Sequence, residues 1–143
     1  MGTDEVYRLL TSLNLLYVKL KKYKDILSLQ ESAICKYEVS HVAYYTTLER
    51  QTAKELTGLY KVVTSLQTKS NLINVGSDEK IVNVCRSIDS LLPSVKKNNL
   101  RNQKLIGHLL KKVEKDLLSF RQNQAKCLFA LSQSSSPIYD LKV

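Results

Sequence analysis

Residues 4–35 read DEVYRLLTSLNLLYVKLKKYKDILSLQESAIC. Val6, Leu9, Leu13, Leu16, Leu20, Tyr23 and Leu27 follow one another in steps of three and four, and Ile34 resumes the series after a polar gap at Gln30. A half-buried strand alternates every second residue; steps of three and four put the apolar side chains along one side of an α-helix. Leu10 and Tyr17 widen that seam into the broad stripe of a bundle helix, beyond the narrow seam of a two-stranded coiled coil. Thr3 and Asp4 are candidate N-caps.

The same spacing continues outward. Val42, Tyr45, Leu48, Thr52, Leu56, Leu59, Val63 and Leu66 mark a second helix over about 38–69, with Val39, Tyr44 and Tyr60 adding bulk. No Gly or Pro separates it from the first, but the stripe changes phase within CKYEVSH, residues 35–41, which predicts a break there. SNLINVGSDEK, residues 70–80, reads as a linker that ends in the N-cap candidates Ser77 and Asp78. A third segment then carries Ile81, Val84, Ile88, Leu91 and Val95, passes through Asn99 and Asn102, and resumes with Ile106, Leu109, Val113, Asp116 or Leu117, Phe120, Gln124, Cys127 and Leu131. Pro93 either kinks this helix or opens a new one capped by Asp89 or Ser90. Beyond Leu131 the polar SQSSSP reads as a flexible linker to the apolar-aromatic IYDLKV.

The fold these readings predict is all-α: an elongated antiparallel bundle, coiled-coil-like in its seams, of three long helices, or four with a break at Pro93. Residues 1–131 form one domain and 132–143 a tail. The composition agrees, since 143 residues hold only four Gly and two Pro, too few breakers for many short elements. Cys35, Cys85 and Cys127 are odd in number and far apart, as free thiols are and disulfide or zinc frameworks are not. Asp4 and Glu5 stand where a signal peptide carries bases, Val6 breaks the myristoylation pattern, and no apolar run reaches membrane-spanning length. A soluble cytoplasmic protein without membrane insertion is expected.

The net charge of +9 is uneven. Lys96, Lys97, Arg101, Lys104, Lys111, Lys112 and Lys115 crowd one stretch with Glu114 as its only acid. Such a strip holds phosphate or an acidic partner, or forms the solvated face of a long helix. It contains no aromatic residue for base stacking, and no nucleic-acid motif accompanies it, so nucleic acid is not the expected partner. Catalytic patterns are equally thin. His41 and His108 are far apart, Glu38-x-x-His41 lacks the second Glu-x-x-His that a di-metal bundle needs, and Glu114 and Asp116 point different ways on a helix. No phosphate-binding loop or nucleophile motif is present. A binding protein without cofactor or metal is expected, not an enzyme.

Two polar residues in the apolar seam stand out in KKNNLRNQKLIGHLL, residues 96–110. Buried asparagine is expensive, and one reason to keep it is to fix helix register. Gly107 close by either admits another backbone or weakens the helix.

Three stretches together resemble FlgN-type flagellar export chaperones. ESAICKYEVSHVAYYTTLERQTAKELTGLYKVV, residues 31–63, is similar to that family's first-to-second helix region, with its Glu-Leu-x-x-Leu at Glu55–Leu59. NNLRNQKLI, residues 98–106, is similar to the Asn-x-x-Asn-x-x-Leu element of its last long helix, matched by Asn99, Asn102 and Leu105. PIYDLKV, residues 137–143, is similar to the short Tyr-Asp segment near its C-terminus. The chain departs from the family in its positive charge and in having no glycine after Tyr139–Asp140. The resemblance implies a cytoplasmic chaperone of hook-associated proteins that prevents premature assembly and delivers its clients to the cytosolic domain of the flagellar type III export gate. It implies client binding by the C-terminal helix, with Leu109, Leu110, Val113, Leu117, Phe120 and Leu128 as candidates. It also implies gate docking by Tyr139. The chain is expected to be a monomer or weak dimer. The alternatives are a structural coiled-coil adaptor or oligomerisation module and, less favoured, a basic nucleic-acid-binding bundle.

Overall fold

The structure, a computed structural model, describes residues 2–71 and 78–133. These form three helices, α1 (Gly2–Cys35), α2 (Val39–Asn71) and α3 (Glu79–Gln133), with no strand among the described residues. The predicted all-α architecture is therefore the one observed. No helix among them is long and apolar enough to cross a membrane. Residues 134–143, which hold IYDLKV and most of SQSSSP, and residues 72–77 of the predicted linker lie outside the described residues, whereas Ser132 and Gln133, expected to begin the flexible linker, still belong to α3.

Local chemistry explains the boundaries. α1 already begins at Gly2, so Thr3 and Asp4 lie inside the first turn and do not cap it; Asp4 and Glu5 instead place negative charge at the positive end of the helix dipole. α1 ends in a Schellman turn. The Glu38 amide donates to the Ala33 carbonyl (2.9 Å) and the Tyr37 amide to the Ile34 carbonyl (3.0 Å). Tyr37 occupies the left-handed position of that turn at φ 59°. This break was expected from the phase change alone. α3 is capped by Asp78, whose Oδ1 accepts from the Lys80 amide at 2.9 Å and lies 3.4 Å from the Ile81 amide. Pro93 neither ends nor restarts the helix: α3 runs unbroken through it, so the described residues form three helices and not four. Asp89 and Ser90 lie within that helix and cap nothing; the Ser90 hydroxyl donates to the Ser87 carbonyl.

The chain divides into two compact units, Met1–Leu105 and Ile106–Val143, where the sequence predicts one domain to residue 131. In the first unit, Lys19 meets Glu55, Tyr23 meets Glu49 and Gln30 meets Thr46. The α1 index rises as the α2 index falls, so the two helices are antiparallel. Leu16 and Leu20 share a recess with Ile88 and Leu92, while Leu27 and Gln30 meet Asn102. Both indices rise together there, so α3 runs parallel to α1 and antiparallel to α2.

The core follows the α1 seam. Leu9, Leu13, Leu16, Leu20, Tyr23 and Leu27 cluster with Val63 of α2 and with Ile81, Ile88 and Val95 of α3. Complete burial of a leucine such as Leu27 contributes roughly 2 kcal/mol through the hydrophobic effect. α2 gives up less surface, with Leu56, Leu59 and Leu66 half-buried and Val39, Tyr44 and Tyr60 exposed, so the bulk expected of those last three is not in the core.

A polar line crosses this core through all three helices. Asn102 of α3 is 1% exposed, and its Nδ2 donates to the Leu27 carbonyl (2.8 Å) and to Gln30 Oε1 (3.0 Å). Gln30 Nε2 donates to Thr46 Oγ1 (3.0 Å), and the Thr46 hydroxyl donates to the Val42 carbonyl (2.7 Å). Beside it Arg101 pairs with Glu31 at 3.3 Å. The only partnerless buried side-chain oxygen or nitrogen among the described residues is Asn102 Oδ1.

Candidate functional site

Within the first unit α3 buries every seventh residue, Ile81, Ile88, Val95 and Asn102, and Leu109 stands at the next step, also buried. The series then turns polar or small, at Asp116, Asn123 and Ala130. Its neighbouring series does the same: Leu91, Asn98 and Leu105 are followed by Lys112, Ser119 and Lys126. A different seam starts at Ile106 and runs through Leu110, Val113, Leu117, Phe120, Gln124 and Cys127 to Leu131, again in steps of three and four. In residue spacing it is out of step with the series that runs from Ile81 to Leu109. A stripe serving only to prolong the bundle would keep its phase. This one is a separate seam.

Its side chains are exposed. Leu110, Leu117 and Phe120 keep about half or more of their surface open, as does Leu128 at the edge of the seam, with Phe120 at 63%. Val113 and Leu131 are half-buried. Of the six residues expected to bind a partner, five therefore line or border an open face, whereas Leu109 is only 9% exposed and serves the fold. Apolar surface of this kind on a helix marks an interaction site more often than a solvated face. Residues 106–133 carry Lys111, Lys112, Lys115, Arg121 and Lys126 against Glu114 and Asp116, so the helix presenting the seam is basic.

The other expected residues are placed as follows. Asn102 is buried in the polar line, and Asn99 and Leu105 are half-buried beside it on α3. Each base of the Lys96–Lys115 strip is exposed, with Arg101 held by Glu31. Glu38 and His41 touch each other, their contact confined to the exposed start of α2. Among the described residues no group of three or more His, Cys, Asp or Glu side chains is placed to hold a metal ion. Tyr139 lies outside the described residues. Among the described residues nothing beyond its own turn of helix approaches within 4 Å of a Cβ placed on Gly107, so none of them brings a backbone against that glycine.

Two features escape a reading of the sequence. Gln30 and Thr46 complete the polar line from Asn102, and the only signal was the gap that Gln30 leaves in the α1 seam. The second is an apolar recess of about 290 Å³ in the first unit, lined by Leu16 and Leu20 of α1, Leu56, Thr57 and Tyr60 of α2, and Ile88 and Leu92 of α3. Periodicity does not foretell where three packed stripes leave a gap.

Comparison with family models, with curated proteins and with solved structures finds no match to this chain.

Proposed function

We propose that this chain is a non-catalytic binding protein that holds a helical segment of a client protein against residues 106–131 of α3. The observation that carries this reading is the exposed seam itself: leucine, valine and phenylalanine at helical spacing, out of phase with the core-facing stripe, on a helix whose earlier half anchors it in the bundle. The complement of such a face is another amphipathic helix with apolar residues in steps of three and four. The resemblance of residues 31–63, 98–106 and 137–143 to FlgN-type chaperones supports a particular client. In that reading hook-associated flagellar proteins are kept unassembled in the cytoplasm by this face and passed to the export gate, where Tyr139 docks.

The test is capture. The full chain should co-purify with the C-terminal helical segment of a hook-associated protein from its own organism. Phe120→Glu, a change at a 63%-exposed position, should lower that affinity at least about tenfold while leaving the circular dichroism spectrum unchanged. No binding to any hook-associated protein sinks the export reading. Binding to a nucleic acid that weakens steeply with salt would instead favour the basic strip as the functional surface.

A further inference from the structure

The exposed seam of α3 fits a second copy of itself. The argument rests on the pattern of residues 106–131 and on their exposure. Turn one such helix antiparallel to another, with the two-fold axis passing between Leu118 and Ser119. Every residue of the seam then faces a seam residue of the other copy. At the centre Leu117 lies against the other copy's Phe120, and at the ends Ile106 lies against Leu131. Antiparallel coiled coils set their layers in this way, and no other register covers the whole seam.

The residues beside the seam were free to disagree with this register, and they match it. Glu114 comes to lie beside Arg121 of the other copy, offset along the axis by roughly 3 Å. Symmetry makes that ion pair twice. On the opposite edge Asp116 lies beside Asn123. Near each end Leu128 lies over Gly107, the position where a Cβ would meet no described residue beyond its own turn of helix. Acid meets base, carboxylate meets amide, and leucine meets a gap. A parallel arrangement also brings Asp116 beside Arg121, but it matches less well at the other positions, because it sets Leu109 beside Glu114 and Asn123 beside Leu128. Charge complementarity thus fits a second copy as the occupant, and the apolar and amide neighbours beside the seam favour the antiparallel direction.

We infer that this protein forms an antiparallel homodimer through residues 106–131 of α3, and that the dimer covers the seam until a client helix displaces the second copy. The covering role rests on the proposed function; the pairing does not. A chain that keeps leucine and phenylalanine exposed for capture otherwise invites indiscriminate association. Self-pairing through the same seam prevents that, and it makes client binding compete with dimerisation.

Sedimentation equilibrium of the full chain over micromolar concentrations tests the pairing. A monomer–dimer equilibrium is expected, and Phe120→Glu should abolish it. Glu114→Arg and Arg121→Glu should each weaken the dimer about fivefold or more by setting like charges together at two symmetric places. The doubly reversed chain should recover it, because the pair is restored in the opposite sense. These positions are exposed, so each variant can be checked for unchanged helicity and melting. A parallel dimer gives another result: Arg121→Glu weakens it by removing a partner of Asp116, and adding Glu114→Arg does not restore it. That result, or a chain monomeric at all concentrations, overturns the inference. Client capture by a chain that never dimerises leaves the proposed function standing without this interface. Dimerisation with no client captured does the reverse.

Discussion

Asn102 makes the clearest argument at the scale of single residues. Its side chain is buried, spends both amide protons on α1, and leaves its own oxygen without a partner. An unmatched buried acceptor costs about 1–3 kcal/mol, so the site is not optimised for stability. Its role is register: only one axial position of α3 brings Nδ2 to both Leu27 and Gln30. Asn102→Leu removes the unmatched oxygen but strands Gln30 Oε1, so urea denaturation should find the single variant no more stable than the natural protein. Adding Gln30→Leu removes that acceptor as well. The double variant should exceed the sum of the single changes by about 1 kcal/mol or more, a coupling that a double-mutant cycle reads directly. Tyr37 gives a second test. A left-handed conformation costs a side-chain-bearing residue roughly 1 kcal/mol, and glycine is the usual occupant of this turn. Tyr37→Gly should raise stability by up to about that amount. Tyr23 gives a third. Burial, then its hydrogen bond to Glu49 (2.6 Å), then the charge of that carboxylate raise its phenol above the ordinary tyrosine value. The stability this contributes is complete below the unfolded pKa of about 10 and is lost as pH rises beyond it. Melting temperature should therefore decline less steeply above pH 10 in Tyr23→Phe than in the natural chain.

At the scale of the element, α3 is where sequence and structure agree and part in the same helix. Its existence, its Asp78 cap and its apolar periodicity are all legible in the residues, because cap chemistry and the period of a helix are local properties. Pro93 is not. Proline in a helix interior removes an amide and crowds the carbonyl four residues back, which makes a break and a continuous helix look alike from sequence. Packing decides, since Ile88 and Val95 on either side are both buried in the same core and hold the helix in line. If so, Pro93 persists at a local cost. Pro93→Ala at this exposed position should raise stability, by as much as about 3 kcal/mol, without changing the core. A chain that instead loses stability would mean that Pro93 itself helps to place α3. The turn at Tyr37 was legible only as a change of phase, because its sign is usually glycine and here the backbone bends without one. The candidate site was legible residue by residue, yet the sequence alone could not separate Leu109 from Leu110. They adjoin, both are leucine, and only the end point of the buried series sets one inside and the other out.

At the scale of the whole molecule the division at Leu105 separates the main core from the exposed seam. The core cluster and the whole polar line belong to the first unit, while the described residues beyond Leu110 are exposed apart from Val113 and Leu131. Residues that bury little surface contribute little to folding free energy. A chain ending after Leu110 keeps Leu109, the last buried member of its series, and loses the exposed seam. It should melt cooperatively within a few degrees of the full chain, remain monomeric at every concentration, and fail to hold a client helix. Calorimetry and sedimentation on the same preparation read the first two. A large loss of melting temperature would mean that residues beyond Leu110 carry part of the core, and the seam would then be a structural surface and not a site. If stability is retained and association lost, the same helix has two jobs along its length, set apart by the change of phase between Leu105 and Leu110.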